Sequence, residues 1–179
     1  ALPPPPDQRL ASGRLVAALH GHPAAPHAPG TPELMSIHAD KESPRANGEG
    51  WHTDVSCEVE PPMGSILHIE TCPPKGGDTL FASMYAAYDA LSAPLKAMID
   101  GLSAVHSAFK VLPLMSGADY SGLQEDMRNV HPVVRVHPET GRKALFVNAL
   151  WTEQILDMSP AESENLLAFL NQHAGSPEF

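Results

Sequence analysis

Trp51-His52-Thr53-Asp54-Val55-Ser56 is the stretch that decides how the rest of the chain is read. In an extended strand residues i and i+2 point to one face, so the His52 imidazole and the Asp54 carboxylate would project side by side. The stretch is therefore predicted to head a strand that continues through Val55–Val59. A neutral ring nitrogen beside an anionic oxygen supplies two members of a two-histidine, one-carboxylate triad. That donor set suits iron(II) and leaves the opposite positions open. The spacing is weak by itself. With ten histidines and 21 acidic residues, His-x-Asp recurs at His38-Ala39-Asp40, where a plain surface pair is expected.

The 179 residues are enough for one domain with a sizeable core. A hydrophobic content of 42% is ordinary for a globular protein. No apolar run approaches the roughly 20 residues of a membrane span. Ala1-Leu2-Pro3-Pro4-Pro5-Pro6 has neither the basic nor the apolar region of a signal peptide, so a cytoplasmic location is expected. A formal charge of −10 argues against nucleic acid, because phosphate binding needs a basic face. Cys57 and Cys72 form no CxxC pair, which removes the structural zinc patterns. A disulfide between them stays open, but two buried free thiols in a reducing compartment are the expected state.

Residues 1–12 carry a four-proline run without hydrophobic period and read as an extended or polyproline arm. Gly13–Leu19 suits a short helix or a short strand. His20-Gly21-His22-Pro23-Ala24-Ala25-Pro26-His27 is a loop; three histidines in it suggest a metal clip, but a loop lacking Cys or acid ligands is more often plain surface. Strands are predicted at Leu34–Ile37, Ser65–Glu70 and Asp78–Ala82, with a mobile loop over Asp40–Gly50 covering the site entrance. Ser83 is placed to cap a helix over Met84–Leu91. Ser92 is placed to cap a second, with Pro94 in its first turn and Leu95, Met98 and Ile99 inward. Residues 109–130 are loop-rich. Val133–Val136 and Lys143–Val147 form a hairpin around Pro138-Glu139-Thr140-Gly141. Ser159-Pro160-Ala161-Glu162 is a capping box with Pro at the first helical position, opening a helix that should bury Leu166, Leu167, Phe169 and Leu170. The pattern is mainly β with flanking helices, an α+β arrangement of barrel or sandwich type.

Six blocks then occur in order: Trp51–Ser56, Pro61–Leu67, Gly76–Phe81, Ala86–Ser92, His131–Arg135 and Ala144–Asn148. Together they closely resemble the taurine dioxygenase family of iron(II)- and 2-oxoglutarate-dependent oxygenases, over Gly13 to Phe179. The resemblance implies a double-stranded β-helix, or jelly roll, over 13–179, apparently truncated. It implies His52 and Asp54 as metal ligands and as the catalytic pair. Thr79, after Gly-Gly-Asp, matches the family's threonine that hydrogen-bonds the far carboxylate of 2-oxoglutarate. His22, Val55 and Trp151 match positions lining the substrate pocket, although surface for His22 and core for the other two remain the plain alternatives. The implied reaction decarboxylates 2-oxoglutarate to succinate and CO2 and hydroxylates a small organic acid, sulfonate or sulfate ester. Its partners are that substrate and O2, with a homo-oligomer left open. His131 and Arg135 belong to a block but receive no role, and His68, His106 and His137 are expected to be structural or surface residues.

Three departures stand out. Ala25 and Gly48 replace a Tyr and an Asn that touch taurine in the taurine enzymes, so another substrate is expected. The family's second metal histidine and its 2-oxoglutarate-gripping arginine lie beyond the Ala144–Asn148 block, yet no Arg or Lys follows Lys143 and His173 is the only later histidine. The family's first strands are missing too. The sequence thus reads as a fragment, a shortened chain or the ordered part of a longer one. The competing class is a truncated, non-catalytic relative serving as a binding or oligomerising module.

Overall fold

The computed structural model describes residues 6–15, 18–22, 27–28, 30–43, 48–111 and 127–179. The chain divides into two units. One gathers Ala1–Glu49, Pro62–Thr79 and Leu112–Gln124; the other gathers Gly50–Pro61, Leu80–Val111 and Glu125–Phe179. Among the described residues no helix is long and apolar enough to cross a membrane.

The first unit opens with helix α1, Pro6–Arg14, where an extended arm was expected. The last proline of the run stands at the first helical position, where the missing N–H is no loss and φ is already helical. Asp7 in the first turn and Arg14 in the last complement the helix dipole. Leu10 is buried, and Arg9 pairs with Glu70 at 2.6 Å. Strands β1, His27–Ala28, and β2, Thr31–Met35, pair antiparallel. The second of these begins three residues before the strand predicted at Leu34–Ile37 and ends before Ile37.

No strand forms over Ser65–Glu70 or over Asp78–Ala82, which corrects both expectations. Extended chain becomes a strand only when a neighbour takes up its N–H and C=O groups. These segments have no ladder partner among the described residues. Ile66, Leu67 and Ile69, and Leu80 and Phe81 in the second unit, are accordingly exposed.

The second unit holds the main core. Helix α2, Met84–Ala90, starts where Ser83 Oγ accepts the Ala86 N–H, as expected. Its Ala87 and Tyr88, with Leu91 just beyond, are buried on one face. Helix α3, Ala93–Ile99, has Pro94 in its first turn, but Ser92 makes no side-chain cap bond. Ile99 is fully buried and Leu95 partly so, whereas Met98 faces out. Strand β3, Ser103–Ser107, then helix α4, Ala108–Val111, then strand β4, Arg128–Pro132, follow in order. Val134–Val136 and Lys143–Leu145 are β5 and β6, paired as the predicted hairpin, with Val134 opposite Leu145. Gly141 takes φ 69° at the turn, a value that needs glycine. Strand β7, Thr152–Ile155, completes a three-stranded antiparallel sheet in the order β4-β3-β7. None of its three strands was anticipated: residues 128–130 of β4 fell in the stretch expected to be loop-rich.

Helix α5, Pro160–Ala174, carries the capping box in full: Ser159 Oγ accepts the Glu162 N–H and the Glu162 carboxylate accepts the Ser159 N–H. Such a cap is worth about 1 kcal/mol. Leu167 and Leu170 are buried and Leu166 is half-buried. Phe169, expected inside, is 47% exposed and stacks on His173 instead. The core of the unit joins α2, α3 and α5 to the sheet and the hairpin through Ile99, Ala104, Val133, Leu145, Ile155 and Leu170.

Candidate metal centre

His52 and Asp54 do converge, but a turn brings them together, not a strand. Residues 54–57 form successive turns. Val55 takes φ 48°, a left-handed value rare for a β-branched residue. That kink ends any extended run and rules out the strand predicted through Val59. Glu58 N–H closes the turn on the Val55 carbonyl at 3.1 Å.

Across the bend His52 Nε2 stands 3.1 Å from Asp54 Oδ1. The other ring nitrogen, Nδ1, lies 2.8 Å from the Gly50 carbonyl. A carbonyl can only accept, so the Nδ1 proton is fixed there and the Nε2 lone pair of the neutral ring faces the carboxylate. Two ligands each about 2.1 Å from one ion and at right angles to each other lie about 3 Å apart. The pair therefore fits two adjacent positions on a divalent ion, with the Gly50 carbonyl orienting the ring from behind. Without an ion, the Asp54 carboxylate bonded to the ring holds the His52 pKa above the usual histidine value, against partial burial.

At the second His-x-Asp the carboxylate caps a local turn. His38 Nε2 is 3.4 Å from Asp40 Oδ2. Asp40 Oδ1 accepts the Glu42 N–H at 3.0 Å and the Ser43 hydroxyl at 3.1 Å. Those bonds hold the Asp40 carboxyl below its ordinary pKa and mark it as the first residue of a local turn. The His38 side chain is 83% exposed.

The other sequence-predicted residues divide. Val55 and Trp151 are buried in the second unit. Trp151 N–H donates to Asn148 Oδ1 at 2.8 Å. His22, half-buried, and Thr79, exposed, belong to the first unit. Pro23 and Ala25, and residues 44–47 of the loop expected over the site entrance, lie outside the described residues. Both cysteines are free; Cys57 is buried, as expected, but Cys72 is exposed.

Sequence reasoning missed the polar cluster beneath the turn. Ser56, His106, His131, Asn148 and Thr152 are all buried. The His106 ring stacks on Phe146 at 5.4 Å and meets His131 edge-on at 5.3 Å. Burial, aided by the neighbouring His131, pushes the His106 pKa down to about 4, and burial lowers that of His131 as well. Only membership of Ser56, His131 and Asn148 in ordered sequence blocks hinted at a role for this region.

A pH dependence follows. Above its ordinary pKa of 6.5, His106 is neutral in both folded and unfolded chains and has no effect. Between 6.5 and about 4 the unfolded chain takes up a proton that the fold refuses, so stability falls as pH falls. The loss approaches about 3 kcal/mol, at roughly 1.4 kcal/mol per pKa unit, and is complete below about 4. Denaturation from pH 7.5 to 4 should show this slope, shallower in His106→Asn. A wild-type stability that is flat or rises on acidification contradicts it.

An imidazole and a carboxylate thus stand side by side on a turn that is hydrogen-bonded to strands β3 and β4. The comparisons narrow this. The description "Taurine catabolism dioxygenase TauD, TfdA family" matches residues 1–179, and the chain belongs to that family. It is 34% identical over 176 residues to the alpha-ketoglutarate-dependent sulfonate dioxygenase of Saccharomyces cerevisiae, covering 92% of this chain and 42% of the relative. It is 36% identical over 177 residues to the alpha-ketoglutarate-dependent sulfate ester dioxygenase of Pseudomonas putida, covering 89% and 55%. The crystal structure of a taurine dioxygenase from Burkholderia xenovorans superposes with a TM-score of 0.71 at 36% identity, covering 97% of this chain and 56% of that one. The chain thus spans about half the length of these relatives.

Proposed function

We propose that the chain is part of an iron(II)- and 2-oxoglutarate-dependent dioxygenase that hydroxylates a small organic acid, sulfonate or sulfate ester. The observation that carries the proposal is the His52–Asp54 pair, 3.1 Å apart with the ring tautomer set by the Gly50 carbonyl. Residues 13–179 are read as part of a double-stranded β-helix, consistent with the shared fold of the taurine dioxygenase structure. The free thiols at Cys57 and Cys72 suit the reducing cytoplasm in which we place the protein.

Iron(II) and 2-oxoglutarate, when bound, supply the oxidation: one atom of O2 goes to the substrate C–H and the other to succinate, with CO2 released. His52 offers Nε2 as a neutral ligand, its remaining proton on Nδ1 and donated to the Gly50 carbonyl. Asp54 offers an anionic oxygen and neutralises one charge of the ion. Thr79 is assigned a hydrogen bond to the far carboxylate of 2-oxoglutarate, and His22, Val55 and Trp151 contact with the substrate.

The taurine-contacting Tyr and Asn of the family correspond here to Ala25 and Gly48. Two lost hydrogen bonds at about 0.5–1.5 kcal/mol each amount to a factor of about 5–150 in kcat/KM. With iron(II), ascorbate and 2-oxoglutarate, a longer protein that adds the missing third ligand and cation to these residues should release succinate faster with an alkyl sulfate or alkylsulfonate than with taurine. Taurine turnover matching or exceeding both overturns the substrate reading, and no substrate-dependent succinate overturns the enzyme reading.

A further inference from the structure

The turn carrying the pair bends through Val55 at φ 48°, a conformation that costs about 1–3 kcal/mol and persists only where its surroundings over-determine it. Three consecutive residues after the bend are tied down by distant parts of the chain. The Ser56 hydroxyl lies 2.9 Å from His106 Nδ1 and 3.1 Å from Asn148 Nδ2. The Cys57 carbonyl accepts from Asn129 Nδ2 at 2.7 Å. The Glu58 carbonyl accepts from His131 Nε2 at 2.8 Å.

The partners fix the direction of the Asn148 bond, and burial bears on that of the His106 bond. Asn148 Oδ1 accepts the Trp151 N–H, so the amide group facing Ser56 is the donor NH2. Ser56 Oγ accepts there. Complete burial keeps His106 neutral; with the ring proton on Nε2, Nδ1 accepts the Ser56 hydroxyl proton. Buried polar groups are usually partnered merely because burial demands it. Here the partnered atoms fall on three successive residues of one strained turn, starting two residues after Asp54. Their partners lie 50 to 92 residues away in sequence.

We propose that His106 is a positioning residue for the His52–Asp54 pair, acting through Ser56. The chain Asn148–Ser56–His106 holds the bend so that imidazole and carboxylate stay at adjacent positions on one divalent ion. The inference rests on the reading of that pair as the ion site.

The test uses Mn(II), titrated into metal-free wild-type protein, Ser56→Ala, His106→Leu, His106→Asn and the control His52→Ala. Ser56→Ala and His106→Leu should bind Mn(II) about 10–100-fold more weakly, the usual cost of losing a group that orients a ligand. His106→Asn should recover most of the loss, because its Oδ1 falls near the Nδ1 position and can accept the hydroxyl proton. Amide exchange of Glu58 in the metal-free proteins reads the turn directly. It should quicken in Ser56→Ala and His106→Leu and stay slow in His106→Asn. Ser56→Ala removes one hydroxyl, so the test survives should His106→Leu fail to fold. Wild-type Mn(II) affinity in folded Ser56→Ala overturns the proposal, as does unchanged Glu58 exchange. If wild-type protein binds no Mn(II), or His52→Ala binds it normally, the ion-site reading fails instead. The Glu58 exchange rates then decide by themselves whether the network fixes the turn.

Discussion

His52→Ala binds Mn(II) at least about 100-fold more weakly than the wild type, exceeding the loss expected for a group that only orients a ligand, while His38→Ala binds it normally. Both histidines stand two residues before an aspartate and both approach it, so spacing does not separate them. The difference lies in what the remaining atoms do. His52 Nδ1 is occupied by the Gly50 carbonyl at 2.8 Å, so Nε2, which faces Asp54, is the nitrogen left to take an ion. Asp40 is engaged through Oδ1 with the Glu42 amide and the Ser43 hydroxyl. An ion at His38 would compete with that turn and would hold a largely exposed imidazole. Asp54→Ala should match His52→Ala. Equal losses at His38 and His52, or a loss at His38 alone, sink the assignment.

Helices α2, α3 and α5 were legible because their signals are local, whereas α1 and α4 were not expected. Ser83 and Ser159 each sit three residues before the amide they cap, and both bonds form. The β5–β6 hairpin was legible for the same reason, through its Pro-Glu-Thr-Gly turn. Strands depend on partners that the local sequence does not name. Ser103–Ser107 has no apolar alternation, yet it is central, because β4 and β7 pair with it from both sides. Ser65–Glu70 has the apolar content of a buried strand and no such neighbour among the described residues. The candidate site repeats the lesson. His-x-Asp did bring two ligand-type groups together, though through the bend at Val55 and not through strand alternation. The bond between Ser56 and Asn148 spans 92 residues, and nothing in either segment announces the other.

The 179 residues taken alone should form succinate more than about 1,000-fold slower than a longer chain that supplies a third ligand and a cation for the co-substrate. Among the described residues no three His, Cys, Asp or Glu side chains gather at a common point. His173, the one histidine after Lys143, has its Nε2 2.8 Å from the Ala87 carbonyl and packs against Phe169. Arg142 lies over the Tyr85 ring at 4.3 Å and reaches Asp89 at 3.4 Å. Arg135 lies over Phe146 at 4.8 Å. Recruiting any of these would break a contact already made. A charge-assisted contact to a carboxylate is worth about 1.5–3 kcal/mol, or about 10–150-fold in co-substrate affinity. A missing metal ligand costs at least the about 100-fold argued for His52, and the two losses multiply. The measurement is succinate formation with iron(II) and ascorbate on protein whose mass is confirmed as 19.1 kDa. Rapid turnover would place the third ligand within this sequence, and His52 and Asp54 would then be two members of a site already complete.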